Sequence, residues 1–169
     1  MKKVAIATIT MDGSNEVNYG NKLQAYALQE FLRLNGFVPE TLHYIKKVPS
    51  YTSCLKKQYS ETIWQIIDDI VRVLKRNIQK KKILKKQERR IEKFRNFEKK
   101  NITFSKEVYT YDSDFTELGK KYDYYVTGSD QVWNPYSEGY NSFYYLGYAP
   151  QGKRIAYAPS IAVDNIPKE

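Results

Sequence analysis

Residues 4–44 of the 169-residue chain read VAIATITMDGSNEVNYGNKLQAYALQEFLRLNGFVPETLHY. The stretch opens at residues 4–9 with a short β-branched run, which is typical of a strand buried on both faces. A polar loop over residues 10–21, a helix over residues 22–34 and a second strand over residues 38–44 follow. Strand, loop, helix and strand make a right-handed βαβ unit. The stretch therefore predicts an α/β fold with a Rossmann-like parallel sheet flanked by helices.

The predicted helix carries its own start and stop signals. Asn21 is placed to cap its first turn, and Gly36 can end it in a left-handed turn. Apolar residues recur along it at intervals of three or four, which is the spacing of the face that a helix turns to the core. This apolar face consists of Leu23, Ala27, Phe31 and Leu34.

The rest of the chain continues this pattern within one predicted Rossmann-like domain over residues 1–169. Residues 61–100 are predicted to be helical, as one helix or two, and to form an excursion from the domain. Residues 124–127, closed by Gly128, and residues 155–158 are predicted to be further buried strands.

Cysteine and histidine usage excludes several classes of site. The chain has one Cys and one His, so it can form neither an internal disulfide nor a Cys/His zinc cluster. No stretch reaches the roughly 20 apolar residues that span a bilayer. We therefore expect a cytoplasmic protein with no metal and no cofactor.

The positive charge belongs to one segment. Residues 72–100 contain 14 Lys/Arg and 3 Asp/Glu, a net charge of +11, whereas the whole chain carries +9. Nucleic acid is not the expected partner, because the interleaved residues are aliphatic rather than stacking aromatics until Phe94 and no recognition motif accompanies them. Two interpretations stay open: a peripheral contact with the inner face of the membrane, and a solvated helical excursion packed on the domain by its apolar stripe.

The first candidate site lies between the first strand and the first helix. Free backbone N–H groups and the helix dipole favour an anion at such a helix start, and glycine lets the backbone approach a ligand closely. The same residues can equally cap the helix and turn a corner. The predicted binding residues here are Asn18, Tyr19, Gly20, Asn21 and Gln24.

The second candidate site follows the strand at residues 124–127. Asp130 is the candidate catalytic residue, as a base or as a hydrogen-bond acceptor for a sugar hydroxyl, and Trp133 offers a stacking face for a sugar ring. The alternative for Asp130 is a turn in which the side chain accepts from its own backbone. The predicted substrate-binding residues here are Gly128, Ser129, Gln131, Trp133 and Asn134.

Together the two segments resemble the polysaccharide pyruvyl transferase family. The resemblance is carried by Asn18-Tyr19-Gly20 running into Leu23-Gln24-Ala25-Tyr26-Ala27-Leu28, and by Gly128-Ser129-Asp130-Gln131-Val132-Trp133-Asn134-Pro135. Phe94 and Phe97 before the second motif, and Ile155-Ala156-Tyr157-Ala158 after it, also fit the family's pattern. Two motifs in the same order and at similar spacing make the match specific across nearly all of the chain.

The resemblance implies the N-terminal half of a glycosyltransferase type B fold, with the C-terminal half of that fold absent from this chain. It implies transfer of a pyruvyl group from phosphoenolpyruvate to two hydroxyls of a polysaccharide or its lipid-linked precursor, with release of phosphate. This half would form the acceptor side of the cleft, and the surface meant for the other half could support a homo-oligomer. The alternatives are half of a sugar-nucleotide glycosyltransferase and a non-catalytic sugar- or membrane-binding fragment.

Overall fold

The structure, a computed structural model, describes residues 1–10, 18–45, 63–136 and 142–166. Within residues 63–87, only the backbone is described for residues 63–69, 79–84, 86 and 87. The elements in chain order are β1 (Lys3–Ala7), α1 (Tyr19–Leu34), β2 (Val38–Tyr44), α2 (Ile63–Asn101), β3 (Phe104–Tyr109), α3 (Leu118–Lys121), β4 (Tyr124–Thr127) and β5 (Arg154–Ala156).

The five strands form one sheet in the order β3-β2-β1-β4-β5, and every neighbouring pair is parallel. This confirms the predicted α/β class and the Rossmann-like arrangement. β2 and β4 occupy the segments that the sequence predicted. β1 ends two residues earlier than predicted, and β5 covers residues 154–156 rather than 155–158.

Two hydrophobic clusters cover the two faces of the sheet, and β1 contributes to both. Val4 and Ile6 pack with Leu28 of α1 on one face, while Ala5 and Ala7 point to a larger aromatic cluster on the other. All four residues are buried, as predicted for a strand covered on both sides. The aromatic cluster includes Leu42, Tyr44, Tyr109, Tyr122, Tyr125, Phe143 and Tyr144.

The start of α1 corrects one prediction. Asn18, not Asn21, caps the helix: the Asn18 Oδ1 accepts from the Asn21 backbone N–H at 3.4 Å. The helix therefore begins at Tyr19, three residues earlier than predicted, and Asn21 lies buried inside its first turn. The left-handed turn at Gly36 is confirmed by a φ of 81°.

The predicted apolar face of α1 is also wrong. Phe31 and Leu34 are 58% and 85% exposed, and Leu23 and Ala27 are exposed as well. The face turned to the sheet instead combines apolar residues with polar ones that find partners there. The buried residues of α1 are Asn21, Lys22, Ala25, Leu28 and Gln29.

Gln29 shows why a polar residue can occupy this buried face. Its Nε2 donates to the Thr41 Oγ1 at 2.6 Å and to the Thr103 carbonyl at 2.8 Å. Its Oε1 accepts from the Thr103 N–H at 3.0 Å and from the Arg33 guanidinium at 2.7 Å. One fully buried amide thus joins α1 to β2 and to the segment that leads into β3.

The excursion is one helix, α2, rather than two; residues 61 and 62 of the predicted segment lie outside the described residues. Its last turns pack on α1, where Phe94 lies 4.2 Å from Tyr19 and Phe97 lies 5.6 Å from Tyr26 between ring centroids. In the first half of α2, the apolar residues Ile70, Leu74 and Ile78 do not pack on the domain, because their side chains are exposed. None of the helices in the described parts of the chain is both long and apolar enough to cross a membrane.

Replacing Gln29 with Met tests the buried amide. The methionine matches the volume but leaves the Thr103 peptide and the Thr41 hydroxyl without their partners. We expect a loss of about 3 kcal/mol in the free energy of unfolding, measured by urea denaturation. The control Gln151→Met, at an exposed position, should change it by less than about 0.5 kcal/mol. Equal effects of the two substitutions would contradict this role for Gln29.

Candidate functional site

The two candidate loops leave the sheet side by side. β1 and β4 are paired in parallel register with Ala7 opposite Thr127, so the chain segments that follow them emerge next to each other. The strand order also reverses between β1 and β4, because β2 and β3 lie on one side and β5 on the other. In open parallel sheets, this switch point at the carboxyl ends of the strands is where ligands bind. Residues 11–17 of the first loop lie outside the described residues.

A chain of side-chain hydrogen bonds joins the two loops to α1. The Gln24 Nε2 donates to the Thr8 Oγ1 at 2.7 Å, and the Thr8 hydroxyl donates to the Ser129 carbonyl at 3.0 Å. The Gly128 N–H donates to the Ala7 carbonyl at 2.8 Å. Thr8 was not among the predicted site residues. The signal for it in the sequence was a hydroxyl near the carboxyl end of the strand predicted over residues 4–9.

Gly128 is required by this close approach. A Cβ atom on Gly128 would lie 2.8 Å from the Thr8 Cβ and 2.9 Å from its Oγ1. Non-bonded carbon atoms are at their optimal separation near 3.5–4.0 Å, so any side chain here would push the second loop away from β1.

Gln24 keeps an unused acceptor at this edge of the sheet. Its Oε1 is buried and has no hydrogen-bond partner within the described part of the chain. Buried amide oxygens are usually bonded, so an unbonded one beside a candidate site suits a ligand hydroxyl.

The other residues predicted in the first loop surround the start of α1. Asn18 is exposed, and its side-chain oxygen accepts the hydrogen bond that caps the helix. Gly20 lets the backbone approach this oxygen closely, since a Cβ on Gly20 would lie 3.3 Å from it. The half-exposed Tyr19 ring packs against Phe94, and the Arg90 guanidinium lies 4.9 Å from the ring centroid. Tyr19, the first residue of α1, is therefore held against α2.

A pocket of about 310 Å³ opens beside this tyrosine, between α1 and α2. Its walls are mostly apolar and aromatic, and its rim is cationic. Lys22 lies at its edge, where it pairs with Glu98 of α2 and donates to the Thr10 carbonyl. Arg90 and Lys93 belong to the basic segment, for which the sequence left open both a membrane contact and a solvated helix, and no pocket was predicted here. The lining residues are Tyr19, Lys22, Leu23, Arg90, Lys93, Phe94 and Phe97.

Asp130 has an unusual backbone conformation. Its φ of 109° lies where L-residues are strained, and such strain concentrates at functional sites. Its Oδ1 accepts from the Gln131 N–H at 2.7 Å, which is the local turn that the sequence analysis gave as an alternative. The Ser160 N–H donates to its carbonyl at 2.9 Å and holds the peptide in place. Within the described residues its second oxygen, Oδ2, has no partner.

The remaining polar residues of the second loop bond mostly to one another. The Asn134 Nδ2 donates to the Gln131 Oε1 at 3.0 Å, and the Asn134 Oδ1 accepts from the Tyr136 N–H at 2.9 Å. Asn134 is buried, Gln131 is exposed, and Ser129 is half-buried. The amides thus fix the shape of the loop, and Gln131 is the one of the two with surface to offer a ligand.

Trp133 is half-buried between two sets of contacts. Its ring stacks on Tyr145, with centroids 5.4 Å apart and planes 2° apart, and its Nε1 donates to the Tyr144 carbonyl at 3.2 Å. The ring also packs against the aromatic cluster, so a sugar can contact only the part of it that remains exposed. Tyr145 was not predicted as a partner, because it lies twelve residues further along the chain.

The largest pKa shifts lie in the aromatic core. Burial, reinforced by a hydrogen bond to Glu40, raises the pKa of Tyr122, and burial raises the pKa of Tyr148. Neither tyrosine belongs to the predicted loops. Within the described parts of the chain, no cluster of His, Cys, Asp and Glu could hold a metal ion.

Comparison with known proteins identifies the family. A search of curated proteins gives no match to this chain. The family model described as polysaccharide pyruvyl transferase matches residues 18–169, which include the start of α1, all of α2 and the whole second loop. The chain therefore belongs to the polysaccharide pyruvyl transferase family.

Proposed function

We propose that the edge between β1 and β4 binds the sugar acceptor of a pyruvyl transfer whose donor is phosphoenolpyruvate. Family membership supports pyruvyl transfer in general. The observation that carries the acceptor assignment is the register of Ala7 with Thr127, because it places both candidate loops at one switch point. The acceptor is a polysaccharide or its lipid-linked precursor, on the cytoplasmic side of the membrane.

The proposed reaction balances without an oxidant or a reductant. Two hydroxyl oxygens of one sugar residue form bonds to C2 of phosphoenolpyruvate, and the bond from C2 to the phosphate oxygen breaks. One hydroxyl proton ends on C3, which becomes a methyl group, and the other leaves with phosphate. The product is a cyclic ketal that adds a carboxylate to the glycan.

The roles of the residues follow from their unused groups. The Asp130 Oδ2 can accept a hydrogen bond or a proton from a sugar hydroxyl, because Oδ1 is already held by the Gln131 N–H. The Gln24 Oε1 can accept from a second hydroxyl. The part of the Trp133 ring that Tyr145 and the aromatic cluster leave exposed can contact the sugar ring. Hydrogen bonds hold the Asp130 and Gln24 side chains in place, and ring stacking holds Trp133.

Asp130→Asn separates the charge of this residue from its structural role. The amide oxygen still accepts from the Gln131 N–H, so the loop keeps its shape, but the carboxylate is lost. In saturation-transfer NMR with methyl glucoside and methyl galactoside, we expect hexoside affinity to fall about tenfold. Phosphate release from phosphoenolpyruvate with an acceptor should fall about 10²–10⁴-fold. Asp164→Asn, at an exposed position, is the control and should change neither.

Two outcomes of the same NMR experiment contradict the proposal. Contact with UDP-glucose and none with the hexosides favours a sugar-nucleotide glycosyltransferase. Hexoside contact that persists unchanged in Asp130→Asn and in Trp133→Ala places the sugar elsewhere. In the phosphate-release assay, hexoside binding without release of phosphate from phosphoenolpyruvate favours a non-catalytic binding fragment.

Gly128→Ala tests whether ligand binding depends on the contact between the loops. The new methyl group must displace the Thr8 side chain or the second loop, so we expect a loss of about 2 kcal/mol in stability and weaker hexoside binding. Gly152→Ala is the matched control, because a Cβ there meets nothing within 4 Å. Thermal unfolding and NMR measure the two effects, and normal binding by a destabilised Gly128→Ala protein would argue against this site.

A further inference from the structure

The first part of α2 projects beyond the edge of the sheet that carries the candidate site. α1 and α2 both connect parallel strands and run in the same direction, and the start of α1 at Tyr19 lies level with Phe94. Residues 63–89, here called the arm, therefore extend past the carboxyl ends of the strands. At 1.5 Å per residue, the arm is about 40 Å long.

An apolar stripe on the arm faces away from the domain. Ile70, Leu74 and Ile78 lie four residues apart on one helix face and are 44%, 55% and 55% exposed. Leu74 precedes Phe94 by twenty residues, or about five and a half helical turns. The stripe thus lies on the side of α2 opposite to the one that packs on α1, and no described part of the domain covers it.

The charge of the arm indicates what would cover the stripe. Arg72, Lys75 and Arg76 are exposed beside it, and the arm as a whole contains nine Lys/Arg and three Asp/Glu, a net charge of +6. A second copy of the chain would bring like charges together. Nucleic acid would neutralise the cations but leave the aliphatic stripe in water, and Trp64 is the one aromatic residue in the sequence of the arm that could stack on a base. An anionic lipid surface would both attract the cations and bury the aliphatic stripe.

We propose that the arm docks on an anionic membrane surface, with Ile70, Leu74 and Ile78 inserted among the lipid headgroups and the flanking cations on lipid phosphates. A helix of this kind lies in the plane of the interface, which keeps the edge between β1 and β4 beside the lipid surface. The inference stands on the exposure and charge of α2 and does not depend on the proposed function.

Co-sedimentation of the full chain with vesicles tests the docking. The probes are phosphatidylcholine vesicles and vesicles of phosphatidylcholine and phosphatidylglycerol in equal parts, both at physiological salt. We expect binding to be at least about tenfold stronger with the anionic lipid, and to weaken as salt is raised.

Paired variants separate the stripe from the charge. Leu74→Asn with Ile78→Asn should weaken binding at least about tenfold, and Lys75→Gln with Arg76→Gln about 25-fold. The matched controls are Leu34→Asn, at an apolar residue that is 85% exposed on α1, and Lys3→Gln with Lys106→Gln. Both controls should bind like the unmodified chain. Circular dichroism checks that every variant remains folded.

Three results would overturn the inference. Equal binding to both kinds of vesicle removes the role of charge, and full binding by the stripe variant removes the role of the aliphatic face. A dimer in vesicle-free solution that the stripe variant abolishes, without vesicle binding, assigns the stripe to a second copy. Binding to a DNA duplex without binding to vesicles assigns the cations to nucleic acid.

Discussion

The pairing of β1 with β4 is the constraint on which the rest of the structure depends. In this pair Ala7 lies opposite Thr127, the Gly128 N–H donates to the Ala7 carbonyl, and the Thr8 hydroxyl donates to the Ser129 carbonyl. Because strand order reverses here, α1 covers one face of the sheet, with the end of α2 packed on α1, and the segments before and after β4 cover the other face. The carboxyl ends of β1 and β4 are thereby left between the two layers, where a ligand can enter.

The two faces of the sheet are stabilised by different interactions. One carries the aromatic cluster, in which Tyr44 and Phe143 stack 4.2 Å apart. The other has a small apolar cluster around Leu28, supplemented by polar contacts of Gln29 and Lys22. These polar contacts join α1 to β2, to the segment before β3 and to α2. The position of α1, and with it the start of the candidate site, therefore depends on hydrogen bonds as much as on burial.

The sequence predicted what local patterns determine. A β-branched run identified β1, and the two candidate loops were predicted directly after the first strand and after the strand at residues 124–127. Helix faces were less predictable: Phe31 and Leu34 match the helical period, yet the sheet covers Gln29, whose partners lie in β2 and before β3. The spacing of apolar residues along a helix cannot indicate hydrogen-bond partners that lie so far away in the sequence. The stacking of Trp133 on Tyr145 was beyond local pattern for the same reason.

The continuity of α2 links the candidate site to the proposed membrane contact. Its 39 residues contain neither glycine nor proline, the usual causes of a sharp kink. One end is anchored on α1 by the Tyr19–Phe94 contact and by the Lys22–Glu98 ion pair, both within the first turn of α1. A continuous helix without these kink-forming residues, fixed at one end beside the site, limits where its far end can lie. A surface bound by the arm would then meet the edge between β1 and β4 in one orientation, as an acceptor presented at a membrane requires.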